Sequence, residues 1–220
     1  MKTAVDVRGG DYAPQKLLWG AQSYLPPGGT ASLILVGKES AIREIMPELP
    51  AGCEIYDTSE VVEMGEAPLQ ALRKKKNTSI AVAARLVREG KADALLSAGS
   101  TGAQMAASLL EIGRIPGVER PAIAVMLPTS ENYGVLLLDV GANVDSRAPH
   151  LLQFALMGAA YYEKVCGIKN PKVGVLSIGE EESKGNELTK SVFDSLKHSS
   201  LNFIGNVEAD HLYYGKAHVV

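Results

Sequence analysis

A mostly parallel α/β sheet with helices on both faces is the fold class this sequence predicts, and three observations carry it. Short aliphatic runs, such as ASLILV at residues 31–36 and VLLLDV at 135–140, are continuous rather than alternating, as strands buried on both faces are. These runs alternate about six times with amphipathic stretches long enough for helices. The turn after nearly every run is rich in Gly, Asn, Asp and Ser. Aromatic residues make up only 5% of the chain, so the core must rest on aliphatic residues and alanine.

Each element has a local reason. Residues 3–7 read as a first strand, broken by Gly9-Gly10-Asp11, and Pro14 suits the first position of a helix running to about Leu25. The PPGG stretch at 26–29 is expected to end that helix. Residues 31–36 form the next strand, 39–46 a short helix and 53–56 a third strand. Asn77 is the expected N-cap of a helix carrying Ile80, Ala83, Ala84 and Val87 at helical spacing, closed by Gly90. DALLS at 93–97 is a strand, and the small-residue stretch 101–113 a helix packed closely on the sheet. Residues 122–127 and 135–140 are two strands with Tyr133-Gly134 between them, as in a hairpin. A long helix is expected over 149–165, with Asp145 or Ser146 near its start. Then follow a strand at 172–178, a helix at 186–197 capped by Asn186, and a strand at 202–207. Residues 216–220 begin one more strand with no helix after it, as in a chain cut in mid-strand. No linker, repeat or low-complexity segment divides residues 1–220, so a single α/β domain is expected.

Charge and cysteine content narrow the function. A net charge of −3 leaves no global basic excess for nucleic acid. Cys53 and Cys166 are far apart and form no CxxC, so neither a disulfide framework nor a zinc site is expected. Asp6 interrupts the start where a signal peptide needs an apolar core, and no apolar run approaches the ~18–20 residues of a membrane span. A cytoplasmic protein is expected, with peripheral membrane contact left open.

Ligands of open α/β sheets bind outside the carboxyl ends of the strands, so five strand-end loops hold the candidate site. In Gly9-Gly10-Asp11, paired glycines allow close backbone approach, and the carboxylate can orient a ligand or a neighbouring loop. The segment SAGSTGA at 97–103, with Gly99, Ser100, Thr101 and Gly102, leads straight from a strand into a helix start, a natural phosphate site; it matches neither a Walker A loop nor GxGxxG. DVGANVD at 139–145 places Asp139, Asn143 and Asp145 in one turn, suiting either Mg²⁺ or ordinary turn chemistry. GEEESKGN at 179–186 offers Lys184 to neutralise a phosphate or a developing oxyanion, its glutamates reading as solvated. Asn206 and Glu208 follow the next strand. Together the five suggest one anion-binding cleft with one lysine. Arg73, Lys74, Lys75 and Lys76 form the one dense basic run, either a solvated helix end or a dock for an acidic partner or lipid headgroups. No GxSxG elbow or Cys/His pair advertises a covalent nucleophile, and the histidines show no metal spacing.

These loops, in this order, resemble the PlsX family of bacterial phosphate acyltransferases. The matching strings are VDVRGGDYAP (5–14), LRKKKNTS (72–79), SAGSTGA (97–103), GRIPGVERPA (113–122), LLLDVGANVD (136–145), KGNELTK (184–190) and FIGNVEA (203–209). Arg8 stands where the family usually has methionine, and Ser100 where many members have asparagine. The resemblance implies a three-layer fold like that of phosphotransacetylases and isopropylmalate dehydrogenases, and a family chain that continues past residue 220. It implies a reaction in which inorganic phosphate attacks a fatty acyl–acyl carrier protein thioester, giving acyl phosphate and free carrier protein for phospholipid synthesis. Phosphate is itself the nucleophile, so no catalytic Ser or Cys is needed. The implied roles are phosphate binding at the 97–103 helix start, with Gly9, Gly10 and Asp11 nearby, and charge neutralisation by Lys184. Asn143, Asn186 and Asn206 would donate hydrogen bonds, with Asp139 and Asp145 orienting donors. Glu208 would line the site. The run from Arg73 to Lys76 is a plausible dock for the acidic carrier protein. No cofactor or obligatory metal is expected. A homodimer is expected, as is contact with the membrane and with a downstream glycerol-3-phosphate acyltransferase. A phosphate acetyltransferase acting on acyl-CoA, or a non-catalytic scaffold, stay open as alternatives.

Overall fold

A computed structural model describes residues 1–25, 31–63, 65–131, 133–141, 143 and 145–220. The expected helix end at 26–29 lies outside the described residues, as do positions 142 and 144 of the third loop. Within the span read above as a single domain, the chain forms two compact units, Met1–Gly113 and Arg114–Val220.

The first unit is built on four parallel strands in the order β3-β2-β1-β4: β1 (Lys2–Asp6), β2 (Ser32–Gly37), β3 (Cys53–Asp57) and β4 (Ala94–Ser97). Strand parity sets the layers, because successive side chains point to opposite faces. Val5, Val7, Leu33 and Leu35 pack on Leu18 and Ala21 of α1 (Gln15–Tyr24) and Ile42 of α2 (Glu39–Ile45). Ala4, Ile34 and Val36 face the other way, onto Val82, Ala83 and Leu86 of α4 (Ser79–Arg88). Both faces are therefore covered by helices. Ala81 and Ala84 of α4 meet Ala106 and Ala107 of α5 (Thr101–Glu111), small residues that allow close helix approach.

Two local expectations change here. Thr78, not Asn77, caps α4: its hydroxyl accepts from the Ala81 N–H, whereas Asn77 is held by Glu60 and Arg85. The basic run before α4 closes a helix that the strand and helix pattern did not include, α3 (Pro68–Lys74), with Arg73 and Lys74 in its last turn.

In the second unit β5 (Ala124–Leu127) and β6 (Val135–Leu138) form the expected antiparallel pair. β7 (Lys172–Leu176) and β8 (Asn202–Val207) pair in parallel. The terminal run is no edge. Val219 bridges Leu136 on one side and Val173 on the other, both in parallel sense. The Leu136 N–H donates to His218 O, and the Gly174 N–H to Val219 O. Leu136, Val173, Val175 and Val219 pack on α6 (Ala148–Cys166) and α7 (Glu187–Lys197). Both α-helices share this face, while Val135 and Val207 pack on Leu212 of a 3₁₀ turn. Gly158 makes the packing of α6 possible: a Cβ there would stand 2.6 Å from side-chain carbons of both Leu138 and Val219. Arg147 stands at the N-cap of α6, with Asp145 and Ser146 just before it, as expected near the helix start, and its N–H donates to His150 Nδ1 at 3.2 Å.

Candidate functional site

The first two predicted loops fall in the first unit and the other three in the second. In the first unit the parallel register sets Asp6 directly opposite Ser97. Asp6 is buried, and one carboxylate oxygen accepts from the Ser97 hydroxyl at 2.8 Å while the other accepts from the Arg8 N–H at 3.1 Å. Ser97 Oγ in turn accepts from the Gly99 N–H at 3.1 Å. The two turns interlock around this chain of bonds. A Cβ on Gly9 would stand 2.6 Å from Asp6 Oδ2 and 2.9 Å from the Gly99 nitrogen. Gly10 has φ +100°, and a Cβ there would meet Ala98 O at 2.7 Å. No side chain fits either place.

The interlocked turns wall a cavity of about 80 Å³. That is room for a small polar group, given a share of roughly 30 Å³ per water in the liquid. Gly9, Gly10, Gly99 and Ser100 line it, together with the start of α4 at Ser79 and Ile80. Two helix N-termini, with their partial positive charge, thus border one small space. Arg8 adds a cation to its wall; Asp6 and Glu63 add carboxylates, of which Asp6 is engaged by the donors above. Ser100 caps α5 by accepting from the Ala103 N–H at 3.4 Å. Asp11 and Thr101 are exposed, and Gly102 packs near Pro68 and the Ser100 hydroxyl.

The basic run is divided in its roles. Lys75 Nζ donates to both Glu66 carboxylate oxygens, at 2.8 and 2.9 Å, and to Val61 O at 3.1 Å. This hydrogen-bonded pairing, with help from the Glu63 N–H, holds the Glu66 carboxyl below its usual range. Arg73, Lys74 and Lys76 are exposed to solvent.

In the second unit Asp139 adopts φ 64°, a left-handed conformation uncommon outside glycine. Its bonds hold it there. Oδ1 accepts from Asn143 Nδ2 at 2.8 Å, Oδ2 from the Ser146 hydroxyl at 3.0 Å, and its N–H donates to Ile123 O. Asn143 also donates to Pro121 O at 3.1 Å and accepts from Arg120, which reaches the Asp145 carbonyl as well. The segment before β5 thereby braces the loop after β6. Asp139, Asn143 and Ser146 stand at one end of a cavity of about 280 Å³.

Asn186 caps α7, its Oδ1 accepting from the Thr189 N–H at 2.9 Å. Lys184 is exposed on the preceding loop. Asn206 is buried beneath that loop and donates to Glu181 O at 2.8 Å, while its own Oδ1 and the Ser177 hydroxyl are buried without partners among the described residues. Of the glutamates read as solvated, Glu180 pairs with Lys216, which depresses its carboxyl, and Glu182 pairs with Lys197 at 2.9 Å. Glu208 is half-buried, its carbonyl accepting from the His211 N–H.

Sequence reasoning missed Asp6, Arg120 and Ser146 as parts of these sites. For Asp6 the signal was available: a carboxylate at the end of an otherwise apolar central strand. For Arg120 and Ser146 only tertiary contact reveals the role. Among the described residues no group of three or more His, Cys, Asp or Glu side chains could hold a metal ion, and no helix is long and apolar enough to cross a membrane.

A family model described as "Fatty acid synthesis protein" matches residues 1–220. A protein of Desulfitobacterium hafniense named "Phosphate acyltransferase" is 56% identical over 219 residues, 99% of this chain and 65% of its own length. One of the same name from Heliobacterium modesticaldum is 52% identical over 224 residues, covering 100% of this chain and 66% of its own. The chain thus spans about two thirds of the length of these relatives, 65% of the first. Among solved structures, a phosphotransacetylase from Streptococcus pyogenes aligns over 100% of this chain and 76% of its own, with TM-score 0.68 and 21% identity. EutD phosphotransacetylase from Staphylococcus aureus aligns over the same shares with TM-score 0.64 and 18% identity. These two likenesses establish the α/β fold.

Proposed function

The chain belongs to the fatty acid synthesis protein family, and from that premise we propose that it serves a phosphate acyltransferase. An oxygen of inorganic phosphate attacks the carbonyl carbon of a fatty acyl–acyl carrier protein thioester. The C–O bond forms, the C–S bond breaks, and the thiol leaves with a proton from phosphate or solvent. The products are acyl phosphate and free carrier protein. The observation that carries this reading is the pair of interlocked glycine turns, whose backbone and two adjoining helix starts border one small polar cavity. Catalysis here is positioning plus charge stabilisation, which backbone N–H groups and one lysine can supply without a covalent nucleophile.

In this reading Gly9, Gly10, Gly99 and Ser100 hold phosphate, with Asp11, Thr101 and Gly102 at the rim. Lys184 neutralises phosphate or the tetrahedral oxyanion. Asn143 and Asn186 keep acceptor and donor groups in place at their loops, with Asp139 and Asp145 holding the Asn143 turn and Asn206 and Glu208 the neighbouring strand end. Arg73, Lys74 and Lys76 meet the acidic carrier protein. A cytoplasmic homodimer touching the membrane, and an acyltransferase consuming the acyl phosphate, complete the proposal.

The test is to supply fatty acyl–acyl carrier protein, or the matching acyl-CoA, with and without phosphate, and to trap acyl phosphate as the hydroxamate. Phosphate-dependent hydroxamate, formed faster from the carrier-protein thioester and reduced in Lys184→Ala, is expected. Thioester loss independent of phosphate would overturn the reading. A preference for acyl-CoA would turn it toward a phosphate acetyltransferase-like activity.

A further inference from the structure

The 280 Å³ cavity of the second unit is polar at one end only. Asp139, Asn143, Ser146 and Thr189 stand at its mouth. Beyond them the walls are Leu151 and Phe154 of α6, Val173 and Val175 of β7, and Leu188 and Leu196 of α7. Leu188 and Leu196 lie at opposite ends of α7, about 12 Å apart along the axis at ~1.5 Å rise per residue. Toward the far end Phe154, Val173 and Leu196 are all buried. Water has no partners in such a slot past its mouth, because a buried water needs two to four polar groups. The occupant that fits is apolar along most of its length and polar at one end.

We propose that this slot takes the acyl chain of the substrate, with the carbonyl end toward the polar mouth and the tail running along α7 toward Leu196. Several features select a chain over a ring or a peptide. The space is elongated. Its walls are aliphatic apart from Phe154. Its polar groups are confined to the mouth, where Asp139, Asn143 and Ser146 already bond one another and the Thr189 hydroxyl donates to Asn186 O, leaving no side-chain donor to select a more polar ligand. The identity of the chain as a fatty acyl thioester rests on the function proposed above; the one-ended polarity does not.

Direct labelling tests the slot without turnover. The purified protein is irradiated with a diazirine-bearing palmitate, and the adducts are mapped by peptide mass spectrometry. Adducts are expected on peptides of α6 or α7, and excess palmitate should suppress them. Leu188→Trp, at the half-buried entrance, should cut labelling and move the preference for palmitoyl over octanoyl substrate toward the shorter chain by about tenfold, the scale expected of a changed apolar pocket. Ala155→Leu, which fills the slot from α6, should act in the same direction, and should it fail to fold, Leu188→Trp decides alone. Adducts confined to other peptides, or a Leu188→Trp variant labelled like the parent, overturn the assignment. Labelling in the slot without any acyl phosphate formation would instead remove the proposed reaction and leave the slot standing.

Discussion

The side-chain amide of Asn206, at the end of β8, donates to the backbone carbonyl of Glu181 at 2.8 Å and so ties the 179–186 loop to the sheet. Asn206 is buried, so the bond is shielded from water. Asn206→Asp removes the donor and buries a charge. We expect a loss of about 1–3 kcal/mol in unfolding free energy, the cost of a buried unsatisfied group. Amide exchange at residues 181–186 should accelerate. Acyl phosphate formation should fall about tenfold if loosening the Lys184 loop costs about 1.4 kcal/mol. Unchanged exchange in the loop would show that it is held by other contacts.

Glycine substitutions at two positions should have opposite signs. At Gly9 an added Cβ overlaps Asp6 Oδ2 and the Gly99 nitrogen, so Gly9→Ala should destabilise by about 1–3 kcal/mol, as overpacking does. At Gly20, inside α1, an added Cβ meets nothing within 4 Å. Gly20→Ala should therefore stabilise by about 0.5–1 kcal/mol through helix propensity. Urea unfolding of both variants checks the pair.

Lys75 and Lys74 are adjacent in sequence and should behave differently. The Glu66 carboxyl titrates below its ordinary value chiefly because Lys75 donates to it. Its contribution to stability is therefore present above the unfolded-state pKa of about 4.3 and is lost as pH falls through the lower folded-state value. Carboxyl NMR should show Glu66 returning toward the ordinary value in Lys75→Met and moving much less in Lys74→Met. Carrier-protein affinity should weaken more in Lys74→Met, whose side chain is exposed.

His218 gives the second unit an acid-sensitive contact. Its Nδ1 accepts from the Lys172 N–H at 2.8 Å, which requires the neutral ring at that nitrogen. Burial, with the Lys172 ammonium nearby, holds its pKa below the ordinary 6.5. The contribution is present above about pH 6.5, the unfolded value, and is lost as pH falls through the folded one. The melting temperature should fall as pH is lowered below about 6.5. His218→Asn, which keeps an acceptor without titrating, should flatten that step.

The strands were legible because their signal is local. A continuous aliphatic run such as ASLILV has one low-energy use, a strand buried on both faces, and β2 follows it to within one residue. α3 was not legible for the same kind of reason. It has seven residues and buries only Ala71 and Leu72, too little periodicity to separate it from a charged loop. Asn77 and Thr78 are both good caps, and the choice fell to Thr78 because Glu60 and Arg85 engage its neighbour.

By itself the sequence determined the alternation of strand and helix, the glycines at the strand ends and the family resemblance, because each depends on residue type and short spacing. Asn186 was readable as a helix cap from its place before the 187–197 stretch. Only the tertiary structure decided that Asn143 braces a turn and Asn206, the same residue type, ties down a loop. The terminal run could not reveal that it lies between β6 and β7, since that pairing joins residues far apart in the chain. Side-chain amides and strand order take their meaning from partners brought together by folding, and no local pattern encodes those partners.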